Sequence, residues 1–76
     1  MIIIRKPKSM RSDLAMRDYL VIAEAYAILA SNTDDKDKQY EYMCKTGQFI
    51  KRAAKVGGFF RIKDMIRWLD AQKKGA

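Results

Sequence analysis

Two kinds of side chain in this sequence could do chemistry: a single thiol and a large excess of amines and guanidiniums. Cys44 is the only cysteine and there is no histidine. A reactive thiolate needs a base or a nearby cation to lower its pKa. Tyr40 and Glu41, one turn before Cys44, offer neither, so Cys44 reads as a small apolar residue to be buried. Zinc centres need several Cys or His ligands, and disulfide frameworks need paired cysteines. No carboxylate pair stands beside a nucleophile. The expectation is therefore a protein with no catalytic residues, no metal and no cofactor, and not an enzyme. What remains is sixteen Lys and Arg against nine Asp and Glu, a formal charge of +7. The chemistry left to such a chain is ion pairing with an acidic partner, either a nucleic acid or an acidic protein surface.

The cations are not spread evenly. Residues 49–76 hold Lys51, Arg52, Lys55, Arg61, Lys63, Arg67, Lys73 and Lys74 against Asp64 and Asp70 only. Residues 1–11 hold Arg5, Lys6, Lys8 and Arg11 and no acid, while the middle of the chain is mildly acidic. Of these, Arg61, Lys63 and Arg67 are expected to reach base edges or phosphates, with Lys51, Arg52, Lys55, Lys73 and Lys74 contacting phosphates and setting orientation. Arg5, Lys6, Lys8 and Arg11 flank Pro7 in an arm that could enter a minor groove. Asp64 and Asp70 work the other way, since they repel phosphate and favour a protein or peptide.

The elements that must position these residues can be read from spacing. Ile2, Ile3 and Ile4 are β-branched and Pro7 forbids helix across it, which predicts a short strand or extended basic arm over residues 1–11. Ser12 suits an N-cap with Asp13 in the first turn, and a first helix should then run to about Ser31. Its polar residues, Asp13, Arg17, Glu24 and Ser31, form one narrow stripe. Leu14, Tyr19, Val21, Ile22, Tyr26, Ile28 and Leu29 cover most of the remaining circumference, which implies a central helix or an intermolecular seam. The alanines at 23, 25, 27 and 30 would admit a close neighbour.

Asn32 and Thr33 interrupt the pattern, and Asp34, Asp35 and Asp37 favour a second helix N-terminus. Tyr40, Met43, Cys44, Gly47, Ile50 and Ala54 follow three-and-four spacing on that helix. Gly47 is expected to lie within one continuous helix as a contact point for a neighbouring backbone. Gly57 and Gly58 should end it, with Phe59 and Phe60 as core anchors of a plain hairpin or, for a protein binder, part of an exposed apolar patch. In the last helix, ending near Lys74, Ile62, Met65, Ile66 and Leu69 recur at i, i+3, i+4 and i+7 and predict the buried face. Ile66→Asp would then unfold the domain. Trp68 is expected in the core, Met16, Met43 and Met65 on or beside core stripes, and Tyr42 as the most exposed tyrosine.

The stretch from Gln48 to Lys74 is similar in layout to a DNA-binding helix-turn-helix. Ala53 and Gly57 have the motif's small-residue spacing and Val56 and Ile66 fill apolar slots. Arg52, Lys63 and Gly58 depart from it. The alternative is a plain helical hairpin.

Seventy-six residues make one small domain, spanning 1–76, that buries only about 60% of its unfolded surface, so a second copy would help it. The lone cysteine suits a reducing, cytoplasmic setting. The longest apolar stretch, Tyr19 to Ala30, is too short to cross a bilayer, and the N-terminus lacks the order of an export signal. The sequence as a whole predicts an all-α, three-helix protein, dimeric through its first helix and with no membrane. Its expected role is a nucleic-acid-binding regulator. The competing role is a modulator or inhibitor of another protein, of the kind phages and plasmids encode.

Overall fold

The first helix begins one turn earlier than Ser12, at a serine that also has room to cap. Ser9 has extended backbone, φ −158° and ψ 168°, and its Oγ accepts the Ser12 N–H at 3.1 Å. Capping there lets the helix extend almost to Pro7, the first residue that cannot propagate it. Met10 and Arg11 therefore belong to the helix and not to an arm. Helix α1, Met10–Asn32, is followed by α2, Lys36–Gly57, and α3, Ile62–Lys74. The computed structural model describes residues 7–74. The strand expected at Ile2 to Ile4, and with it Arg5 and Lys6, lies outside the described residues. Among the described residues all regular structure is helical, as expected of an all-α chain.

Asp35 caps α2 by accepting the N–H groups of Asp37 and Lys38. Gly47 does lie inside one unbroken helix, but nothing stands within 4 Å of where a Cβ would be. It is not a contact point, because it faces out from the hairpin. Gly58 ends α2 in the left-handed conformation at φ 85°, where a Cβ is costly. Its N–H donates to the Lys55 carbonyl and the Phe59 N–H to the Ala54 carbonyl, closing the last turn.

α1 and α2 form a long antiparallel hairpin, and α3 folds back over one end of it. Met16, Ala53, Ala54, Phe59, Met65 and Trp68 are buried together where the three helices meet. Ala23 and Ala30 carry the inner line of α1 along the hairpin at seven-residue steps from Met16, Ala27 lines the groove beside them against Gln39, Met43 and Thr46 of α2, and Ala25 points out. Beside them runs a row of partly buried rings, Tyr42, Tyr26, Phe49 and Tyr19, with successive centroids 6.1, 5.7 and 6.0 Å apart. Lys45 sits 5.6 Å over Tyr26 and Arg52 5.2 Å over Phe49. At the far end the Gln39 Nε2 donates to the Ala30 carbonyl.

Several expected core residues are placed elsewhere. Ile66 is 51% exposed, and Trp68 takes the buried position beside Met65. Phe59 is buried but Phe60 is 87% exposed, because adjacent residues at a turn point opposite ways. Cys44 and Met43 are exposed, and Tyr40, not Tyr42, is the most exposed tyrosine of α2. The differences on α2 share one cause: its inner line runs through Thr46, Ile50, Ala53 and Gly57, rotated from the Tyr40, Met43 and Gly47 stripe. The outcome is elongated, 45 × 22 × 19 Å with a radius of gyration of 13.9 Å, against about 11.4 Å for a compact chain of this length. Among the described residues no helix is long and apolar enough to cross a membrane.

Candidate nucleic-acid interface

The sharp end of α2 decides where the basic residues meet. Lys51 and Lys55 are one turn apart on the exposed side of its last two turns, near the helix C-terminus, where positive charge is favoured. Gly58 then turns the chain through residues 58–61, which brings Arg61 back toward them. Lys51, Lys55 and Arg61 line one open cleft of about 460 Å³ with Ala54, Phe59, Phe60 and Ile62. Phe59 forms its buried floor and the ring of Phe60 stands at its edge. An apolar floor beneath three cations and beside an exposed ring can take a phosphate together with a flat apolar group.

The described part of the N-terminal segment comes to the same place. A Cβ built at Gly58 would lie 2.9 Å from Lys8 Cγ and 3.1 Å from Lys8 Cε. The Lys8 stem therefore crosses the α2–α3 turn, and the two basic ends of the sequence meet there in space. This contact has no sequence signal beyond a glycine that leaves room for it.

The other expected residues are not gathered into the cleft. Arg52 lies over the Phe49 ring on a different side of α2. Lys63, Arg67, Lys73 and Lys74 are exposed along α3. At 100° per residue Lys63, Arg67, Asp70 and Lys74 share the outer face of that helix. Arg61 is partly engaged already, its Nε 3.6 Å from Asp64 Oδ2 with the guanidinium still largely in solvent. Such an exposed pair is weak and exchanges readily.

Phe60 is a core anchor in the plain-hairpin reading and part of an exposed apolar patch in the protein-binding one; it is exposed, and stands beside the cations. The available signal was the doublet itself, since two adjacent aromatics directly after a left-handed glycine cannot both face one core. Among the described residues no cluster of His, Cys, Asp and Glu is placed to hold a metal ion. Neither a family model, nor a curated protein, nor a solved structure matches this chain.

Proposed function

We propose that this protein is a non-enzymatic nucleic-acid-binding regulator that holds the phosphate backbone in the cleft at the α2–α3 turn. The observation that carries the reading is the convergence of Lys51, Lys55 and Arg61 on one open cleft beside an exposed phenylalanine. Cations supply affinity for phosphate and an exposed ring supplies a surface on which a base can stack. Lys63, Arg67, Lys73 and Lys74 extend the positive field along α3, and Asp64 and Asp70 interrupt it. The Ala53 and Gly57 spacing and the four-residue turn support a helix-turn-helix-like use of α3. The free, exposed Cys44 suits a reducing compartment such as the cytoplasm.

A second reading is a modulator that docks on an acidic protein. It is favoured by Asp64, whose carboxylate stands 3.6 Å from Arg61 and would repel a phosphate entering the cleft. The experiment is fluorescence anisotropy of labelled mixed-sequence DNA, duplex and single-stranded, at about 50 and about 200 mM salt, where phosphate contacts change affinity by orders of magnitude. Salt-sensitive binding that weakens when Lys51, Lys55 and Arg61 are replaced by alanine supports the proposal. Absence of binding at the lower salt, or binding unmoved by the triple substitution, overturns it and turns the search to acidic proteins.

A further inference from the structure

Among the described residues, the first helix of the hairpin has an apolar side that faces away from α2. Met16, Ala23 and Ala30 form the buried line of α1. Leu14, Val21 and Ile28 recur at the same seven-residue step, and at 100° per residue this second line lies about 160° round the axis from the first. It faces away from α2. These three side chains are 59%, 64% and 54% exposed, and Met10, Ile22 and Leu29 beside them are exposed as well. Together the six present on the order of 600 Å² of apolar surface, at the upper end for the largest patch on a soluble monomer.

We infer that this face is a self-interface, on which α1 of a second copy lies antiparallel. Three observations select that occupant. The first is area: two such faces would bury roughly 1,200 Å² in total, the lower bound of standard specific interfaces. The second is charge. Within the stripe Arg11 and Asp18 cancel, so a polyanion or an acidic membrane gains nothing from it, in contrast to the cleft at the α2–α3 turn.

The third is symmetry. A two-fold interface must be self-complementary, and the apolar positions are evenly placed about Val21. In an antiparallel pairing Leu14 meets the partner's Ile28, Val21 meets the partner's Val21, and Ile28 meets the partner's Leu14. Arg17 and Glu24 flank the same edge at nearly equal distances from that centre, so Arg17 lies across from the partner's Glu24 on both sides of the two-fold axis. Arg17 is bonded to Asp13 at 2.8 Å and lies over the Trp68 ring at 5.4 Å, with its side chain still 47% exposed, so pairing with the partner's Glu24 exchanges one contact for another.

The antiparallel arrangement also accommodates the net charge. The cleft lies beside the start of α1, since Gly57 approaches Met16 there. The two clefts then fall at opposite ends of the pair, where charge repulsion is largely screened beyond about 8 Å at physiological salt. The pairing does not depend on what the cleft binds.

The test is light scattering on the full chain at about 100 μM, because the population of a dimer depends on protomer concentration. The expected mass is that of two copies. Val21→Glu, at a position already in solvent, should keep the helical circular dichroism spectrum while raising the dissociation constant by about 100-fold or more, as like charges meet at the axis. Orientation is read in a Cys44→Ser background by oxidising Leu14→Cys and Ile28→Cys chains alone and mixed. Disulfide dimers in the mixture and little in either chain alone fit the antiparallel seam. A monomer at this concentration, a dimer indifferent to Val21→Glu, or Leu14→Cys linking mainly to itself would each overturn the inference.

Discussion

Met65 and Ile66 are neighbours of similar size with opposite fates, and the difference fixes how α3 docks. Met65 is fully buried against Met16, Phe59 and Trp68, while Ile66 is half in solvent. Met65→Asp should therefore unfold the domain, since an isolated carboxylate has no partner in that core. Ile66→Asp should leave a cooperative melt within about 1 kcal/mol of the parent, as surface substitutions do. Thermal denaturation followed by circular dichroism distinguishes them, and an unfolded Ile66→Asp protein would mean that α3 is rotated from the position described. Periodicity alone could not settle this point. Ile62, Met65, Ile66, Trp68 and Leu69 form an apolar arc wider than the contact, and the groove between Met16 and Phe59 selects which edge is covered. Trp68 takes the place of Ile66 there, its indole N–H buried without an acceptor among the described residues but its ring beneath the Arg17 guanidinium at 5.4 Å. Cation–π attraction at such a site is worth about 0.5–1 kcal/mol, which offsets part of the cost of the unpaired donor.

The helices themselves were legible because their boundaries are set by local chemistry. Asp35 and Gly58 cap α2 within the Asp34 to Asp37 and Gly57 to Gly58 stretches that residue types mark, and α3 ends at Lys74 as its pattern implies. The inner face of α2 was not legible, since its contact residues include alanine, glycine and threonine, whose small size rather than hydropathy admits α1. The two helical glycines separate the roles of size and conformation. Gly47 faces empty space in a regular helix, so Gly47→Ala should stabilise α2 by about 1 kcal/mol. For a domain this small, that gain raises the melting temperature by roughly 4–8 °C. Gly57 is different, because a Cβ there would lie 2.8 Å from Met16 Sδ and 3.1 Å from the Phe59 ring. Gly57→Ala should lower the melting temperature even though alanine is the better helix former. If both substitutions moved stability the same way, intrinsic propensity and not the approach of α1 would govern this helix.

At the scale of the whole molecule, the fold brings together charges that lie far apart in the sequence. The excess of cations at both ends could be counted from the sequence, and an acidic partner inferred from it. That Lys8 crosses Gly58 and that Arg61 returns toward Lys51 and Lys55 follows only from the left-handed turn and the antiparallel hairpin. Clustering has a stability consequence that composition does not fix. A net charge of +7 opposes the compact state by self-repulsion, and Lys8, Lys51, Lys55 and Arg61 are drawn close where the chain folds on itself. Added salt shortens the range of that repulsion from about 30 Å at 10 mM to about 10 Å at 100 mM. Raising the concentration of a weakly binding salt over that range should therefore raise the melting temperature, while the same change weakens binding of a DNA oligonucleotide. Opposite salt responses of folding and binding would share one cause, the cation cluster at the α2–α3 turn. Replacing Lys51 and Lys55 by glutamine should then flatten both, since each depends on charge held in that cleft. A melting temperature that ignores salt in the parent and in the double variant would show that the cations are far enough apart to be indifferent to one another, and would remove the electrostatic basis for the cleft as a phosphate site.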